Sequence, residues 1–134
     1  MSSSPKSFYQ VEMERLYDAL PLRPEHYAQV RRSRALMLQE YGSQLQLTDL
    51  AKSAFMSKFH YVRMFQRIYG VTPRTYLRDL RMRKAKALLT KGMPVTDVCF
   101  EVGYQSVTTF SSIFKKCIGQ TPTSFRQIIK SNPE

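Results

Sequence analysis

Phe59, Val62, Arg63 and Gln66 are spaced so that their side chains share one face of a helix. Arginine and glutamine carry paired hydrogen-bonding atoms that match the edges of guanine and adenine, and an apolar neighbour can meet the thymine methyl group. A face mixing Phe and Val with Arg and Gln is unusual for plain solvent exposure and suits the floor of a major groove. A second set, Thr108, Thr109, Ser111 and Ser112, offers hydroxyls. Hydroxyls pair with several bases and with phosphate, so they discriminate weakly. Ser112 takes the place in its segment that Arg63 takes in the first, so the expectation is an asymmetric reader. The first segment would carry most of the base specificity, and the second would hold the backbone or read shape. Lys58, Arg67, Arg74, Ser106, Lys115 and Lys116 flank these faces and are expected at phosphates. Arg83, Lys84 and Lys86 fit a solvated face as well as a DNA contact.

Other chemistries find no support. The ten acidic residues are scattered, and no nucleophile with a base, glycine-rich phosphate loop or metal-ligand spacing occurs. The expectation is a chain that is not an enzyme, with no catalytic residue, cofactor, metal or small-molecule ligand. Cys99 and Cys117 sit in helical apolar patterns and read as small buried hydrophobes in a reducing cytoplasm. No apolar run approaches the roughly 20 residues of a spanning helix, and no membrane partner is expected. Charge points elsewhere. The 134 residues carry 21 Lys+Arg against 10 Asp+Glu, a net +11. Residues 1–30 hold three basic and four acidic side chains, whereas residues 31–134 hold 18 and six. So strong a basic imbalance implies a polyanion partner.

The elements that must hold these faces come as a repeat. Thr48-Asp49-Leu50-Ala51 matches Thr96-Asp97-Val98-Cys99 at a shift of 48. Ser57, Phe65, Gly70 and Pro73 match Ser106, Phe114, Gly119 and Pro122 at a shift of 49, with one residue added around Gly103-Tyr104-Gln105. In each copy Thr48 or Thr96 is expected to cap a short helix, about 48–54 or 96–102. A tight turn follows, then a longer helix capped by Ser57 or Ser106 and stopped by Gly70 or Gly119. This is the layout of a helix-turn-helix. The expected buried positions are Tyr61, Phe65 and Ile68 in the first long helix, and Phe110, Phe114 and Cys117 in the second. Pro73 opens a linker helix to about Thr90, with Tyr76, Leu77, Leu80, Ala85, Leu88 and Leu89 on its apolar face; it would be roughly 27 Å long. Upstream, Phe8–Leu20 reads as an amphipathic helix with Phe8, Val11, Leu16, Tyr17 and Leu20 apolar. That face does not decide between packing on the rest of the chain and pairing with a partner. A helix from Pro24 to about Tyr41 would bury Tyr27, Val30, Met37, Leu38 and Tyr41. Only Met1–Lys6 reads as disordered.

The fold expectation is therefore all-α: two helix-turn-helix subdomains joined by a long central helix, behind an N-terminal helical extension. The expected boundaries are 1–30 for the tail and extension and 31–130 for the tandem domain. Within the latter, 31–72 is the first unit, 73–90 the linker helix and 91–130 the second unit. A nonspecific basic nucleic-acid binder is the competing reading. Against it, the basic residues gather around two capped units, and no loop forms an aromatic stacking platform.

The run Asp97–Tyr104, then Phe110–Lys116, Gly119-Gln120-Thr121-Pro122 and Phe125-Arg126, resembles the C-terminal half of AraC/XylS-type transcription regulators. Leu50-Ala51, Ser57, Phe65, Gly70-Val71-Thr72-Pro73, Tyr76-Leu77, Arg81 through Ala85 and Leu88-Leu89 resemble the first half. The resemblance covers about residues 31–130. It implies a bacterial, cytoplasmic transcription factor with a bilobed seven-helix domain, whose two second helices enter adjacent major grooves of double-stranded DNA. RNA polymerase is then a candidate second partner. Carried over by position, the base readers are Phe59, Val62 and Arg63, then Thr108, Thr109 and Ser112. Cys99 stands where the family usually has Ala, and Ser112 where some members use Arg. Only about 30 residues precede the match, too few for the sensing domain most members carry. The Met1 start and the 8–20 segment favour a short single-domain member over a fragment of a longer, effector-responsive regulator.

Overall fold

The computed structural model describes residues 6–131, with Tyr17 by its backbone only. The expectations for Met1–Pro5 and for the Tyr17 side chain thus fall outside the described residues. The described residues form eight helices: α1 (Phe8–Ala19), α2 (Pro24–Glu40), α3 (Leu47–Ser53), α4 (Lys58–Tyr69), α5 (Pro73–Thr90), α6 (Val95–Glu101), α7 (Val107–Ile118) and α8 (Pro122–Ser131). No strand occurs among the described residues. The all-α architecture holds, with α1 ahead of a seven-helix set. Two compact units form. One joins the residues up to Leu36 with Gln46–Pro73; the other joins Met37–Leu45 with the residues from Arg74 onward.

Local chemistry places the two long helices of the repeat. The Ser57 hydroxyl accepts the His60 N–H at 3.3 Å, and the Ser106 hydroxyl accepts the Thr109 N–H at 3.3 Å. Gly70 and Gly119 close these helices at φ of 81° and 95°, each donating its N–H to a carbonyl four residues back. The short helices start one residue earlier than expected, so Thr48 and Thr96 are not caps. Gln46 caps α3, and its N–H donates to the Asp49 carboxylate at 2.8 Å. Pro94 caps α6 and has no N–H to satisfy. An acid in each first turn, Asp49 or Asp97, complements the helix dipole instead.

Both helix-turn-helix corners are built by one hydrogen-bond pattern. Met56 N–H reaches the Ala51 carbonyl and Phe55 N–H the Lys52 carbonyl, each at 3.0 Å. Tyr104 and Gly103 repeat this on Cys99 and Phe100 at 3.0 and 3.1 Å. These are Schellman motifs, whose corner residue is left-handed. Gly103 fills that place at φ 101°, whereas in the first copy it is Phe55, at φ 56°. Phe55 is 74 % exposed, with the Arg32 guanidinium 5.1 Å from its ring centroid.

In the first unit Val30, Leu50, Ala51, Ala54, Tyr61, Met64 and Phe65 are buried. In the second, Phe110 and Phe114 pack with Met82, Ala85, Leu89, Val98, Cys99 and Val102. Three expectations need correcting. On α2, Tyr27 and Leu38 are exposed, and the buried positions are Val30, Ser33 and Met37. Ser33 fits because its hydroxyl donates to the Val30 carbonyl at 2.6 Å, which satisfies it without a partner across the core. Cys117 is exposed, while Cys99 is buried. The apolar stripe of α7 advances by four residues, from Phe110 to Phe114 to Ile118, so Ile118 takes the contact expected of Cys117. Met64 and Met82 join the core unforeseen, and Ile68 is only half-buried.

Candidate nucleic-acid interface

On α7 the expected reading face is open. Thr108, Thr109 and Ser112 are exposed and Ser111 is half-buried, on the side opposite Phe110 and Phe114. Lys115 and Lys116 are exposed in the last turn. Ser106 spends one hydroxyl lone pair as the helix cap but keeps its proton to donate. Arg74 is exposed at the second position of α5. At the expected base-reading positions of α7, Thr108, Thr109, Ser111 and Ser112 carry short hydroxyl side chains, none of which spans two atoms of one base.

On α4 the expected reading face exists but is covered. Lys58, Phe59 and Gln66 are exposed to differing degrees, with Phe59 at 41 %, while Val62, Arg63 and Arg67 are half-buried. The cover is α1. Tyr9, Gln10 and Met13 line a mostly apolar cleft with Phe59. Asp18 lines a second cleft with Arg63, Gln66 and Arg67. The Asp18 carboxylate accepts a charge-assisted hydrogen bond from the Arg63 guanidinium. That pairing leaves the Arg63 side chain 20 % exposed and the Asp18 side chain 50 % exposed. Arg63 Nε is buried with no hydrogen-bond partner among the described residues, so the guanidinium retains donor capacity.

The acids of α1 divide by destination. Glu14 pairs with Lys6 and Glu12 with Arg15, each at 2.7 Å. Asp18 reaches α4 instead. The opposite side of α4 is fixed by packing: the Tyr61 and Phe65 rings meet edge-on at 5.8 Å, and the His60 ring meets His26 of α2 at 6.0 Å. Burial, and secondarily the charge of His26, lowers the His60 pKa. Sequence reasoning did not foresee the contribution of Tyr9, Gln10, Met13 and Asp18 to this surface. The acidic excess of residues 1–30 sets this segment apart from an otherwise basic chain but does not name what it contacts.

No group of three or more His, Cys, Asp and Glu that could hold a metal ion occurs among the described residues. None of their helices is long and apolar enough to cross a membrane.

Comparison with known proteins identifies the fold. Residues 50–128 match a family described as a helix-turn-helix domain. A probable transcription factor from Proteus vulgaris, PqrA, is 34 % identical over 84 residues, covering 62 % of this chain and 69 % of that protein. The solved C-terminal domain of AraT, a response regulator from Geobacillus stearothermophilus, superposes with a TM-score of 0.72 at 29 % identity, covering 81 % of this chain and 88 % of that one. The DNA-binding domain of AdpA, a global transcriptional factor solved in complex with a target DNA, gives 0.73 at 25 % identity, covering 76 % and 93 %. Other curated relatives are longer: the chain spans 38 % of the Msm operon regulatory protein of Streptococcus mutans.

Proposed function

Because this chain belongs to the AraC-type helix-turn-helix family, we propose that it binds double-stranded DNA sequence-specifically and regulates transcription from the bound site. In this reading α4 and α7 each enter a major groove, the two grooves being neighbours on one duplex. Arg63 and Gln66 pair with base edges, and Phe59 and Val62 supply apolar contact. Thr108, Thr109, Ser111 and Ser112 make weaker base or backbone contacts. Lys58, Arg67, Arg74, Ser106, Lys115 and Lys116 meet phosphates. RNA polymerase is the protein partner that such regulation implies, and the bacterial cytoplasm is where it would act.

The observation that supports this best is the twice-built unit. Each copy presents a serine-capped, glycine-stopped second helix with one face in the core and the other carrying polar and cationic side chains. Selection of bound duplexes from a random pool tests it. A recurring motif, bound far more tightly than random DNA at the same salt, is expected. Equal binding to all duplexes would leave the nonspecific basic reading in its place.

A further inference from the structure

We infer that α1 is a built-in competitor for DNA, an acidic helix seated on the reading face of α4 that must leave before α4 can enter a major groove. This rests on the reading of α4 as a DNA-reading helix.

Position is the first argument. Tyr9, Gln10 and Met13 lie beside Phe59, and Asp18 lies beside Arg63 and Gln66. α1 therefore tracks the same face, end to end, that carries the candidate readers. Size is the second. The major groove is about 12 Å wide, and one helix with its side chains already measures about 10–12 Å across. Two helices packed at an interaxial distance of about 8–10 Å cannot enter together. Docking of α1 and docking of DNA exclude each other.

Charge is the third. Asp18 sits in the last turn of α1, where the helix dipole disfavours an acid, and no basic residue in that turn offsets it. Its position does nothing for α1 alone, and its Oδ2 takes up an Arg63 Nη donor that a base edge would otherwise meet. Glu12 and Glu14 are neutralised within the extension. The contact is also reversible by construction. A helix of 12 residues is marginal on its own, and α1 leaves Phe8 82 % and Leu16 57 % exposed, so its docking buries little.

If only a fraction of molecules has α1 displaced, the apparent Kd is the intrinsic Kd divided by that fraction. The test uses the full chain, Leu16→Pro and Asp18→Asn on a duplex selected from a random pool. Leu16→Pro breaks α1 at an exposed position, and affinity should rise about tenfold for a chain that is mostly closed. Asp18→Asn removes one half-exposed ion pair and should raise affinity by up to about fivefold. Amide exchange supplies a second readout: protection across Phe8–Ala19 in the free chain should disappear when DNA saturates it. Unchanged or weaker binding by both variants, or protection of α1 that persists in the complex, would overturn the inference while leaving DNA binding intact. Failure of every chain to bind any selected duplex would overturn both.

Discussion

Replacing Gly103 by alanine adds one methyl group where backbone and packing both resist it. The residue sits at φ 101° in the corner of the second helix-turn-helix. A left-handed backbone costs an L-residue about 1–2 kcal/mol. The new Cβ would lie 3.0 Å from the Tyr41 carbonyl oxygen and 3.1 Å from both Cζ and Nε of Arg81. That guanidinium cannot give way freely. Its Nε donates to the Tyr41 carbonyl and one Nη to the Ser43 carbonyl, both at 2.9 Å. Its charge is already partly desolvated, which lowers its pKa. Losing one hydrogen bond from a charged donor costs about 1.5–3 kcal/mol. Alanine also stiffens the unfolded chain, which offsets about 0.4–1 kcal/mol. The net loss should be about 2–4 kcal/mol. Gly92 provides the control, because at φ 96° its Cβ would meet nothing within 4 Å. Gly92→Ala should therefore show strain alone, about 1 kcal/mol. Urea unfolding of the three chains, followed by circular dichroism, separates the contributions through their midpoints. Equal losses in the two variants would refute the argument that Arg81 crowds Gly103.

On the selected duplex, Arg63→Ala in the Leu16→Pro background should cost about 1–3 kcal/mol on the specific site and almost nothing on random DNA; equal losses on both would remove Arg63 from the base readers. Lys115→Ala should weaken both kinds of DNA alike and reduce the slope of log K against log salt by about 1, read from a salt titration. The Tyr61 side chain is buried, and burial pushes its pKa up to about 12 against a smaller lowering by the nearby Ser33 hydroxyl. The folded chain then holds that proton more tightly than the unfolded one, whose tyrosine ionises near its ordinary value of about 10. Its contribution to stability is complete below about pH 10 and falls as pH climbs through about 12. Tyr61→Phe should flatten that decline in urea midpoints; an unchanged slope would contradict it. Finally, a thiol reagent should label Cys117 in the native chain and Cys99 only after unfolding, since Cys99 is buried with its thiol pKa raised by desolvation; rapid native labelling of both would contradict the packing described.

The features legible in the sequence are those governed by neighbours a few residues away. Ser57 and Ser106 as caps, Gly70 and Gly119 as stops, and Pro73–Thr90 as the span of the linker helix follow from local backbone chemistry. Where a choice turned on three-dimensional fit, the pattern was ambiguous. Cys117 and Ile118 are equally apolar to a periodicity count, and only the stripe from Phe110 through Phe114 onto the core selects Ile118. Ser33 reads as polar until its hydroxyl is seen to close on its own helix. The candidate reading faces on α4 and α7 are proposals that residue type and helical spacing alone can make. That α1 lies across the α4 face was not legible, because a contact over 45 residues of chain leaves no periodic trace.

The corner with phenylalanine at its apex and the corner with glycine there close through the same pair of hydrogen bonds, one from the apex N–H and one from the next residue. The bend is thus specified by the main chain of the preceding short helix, and the side chain at its apex merely tolerates it. A search template that insists on glycine at that apex would recognise the later copy and pass over the earlier one, so the ancestry of such duplicated units is better traced through their caps and cores than through their bends.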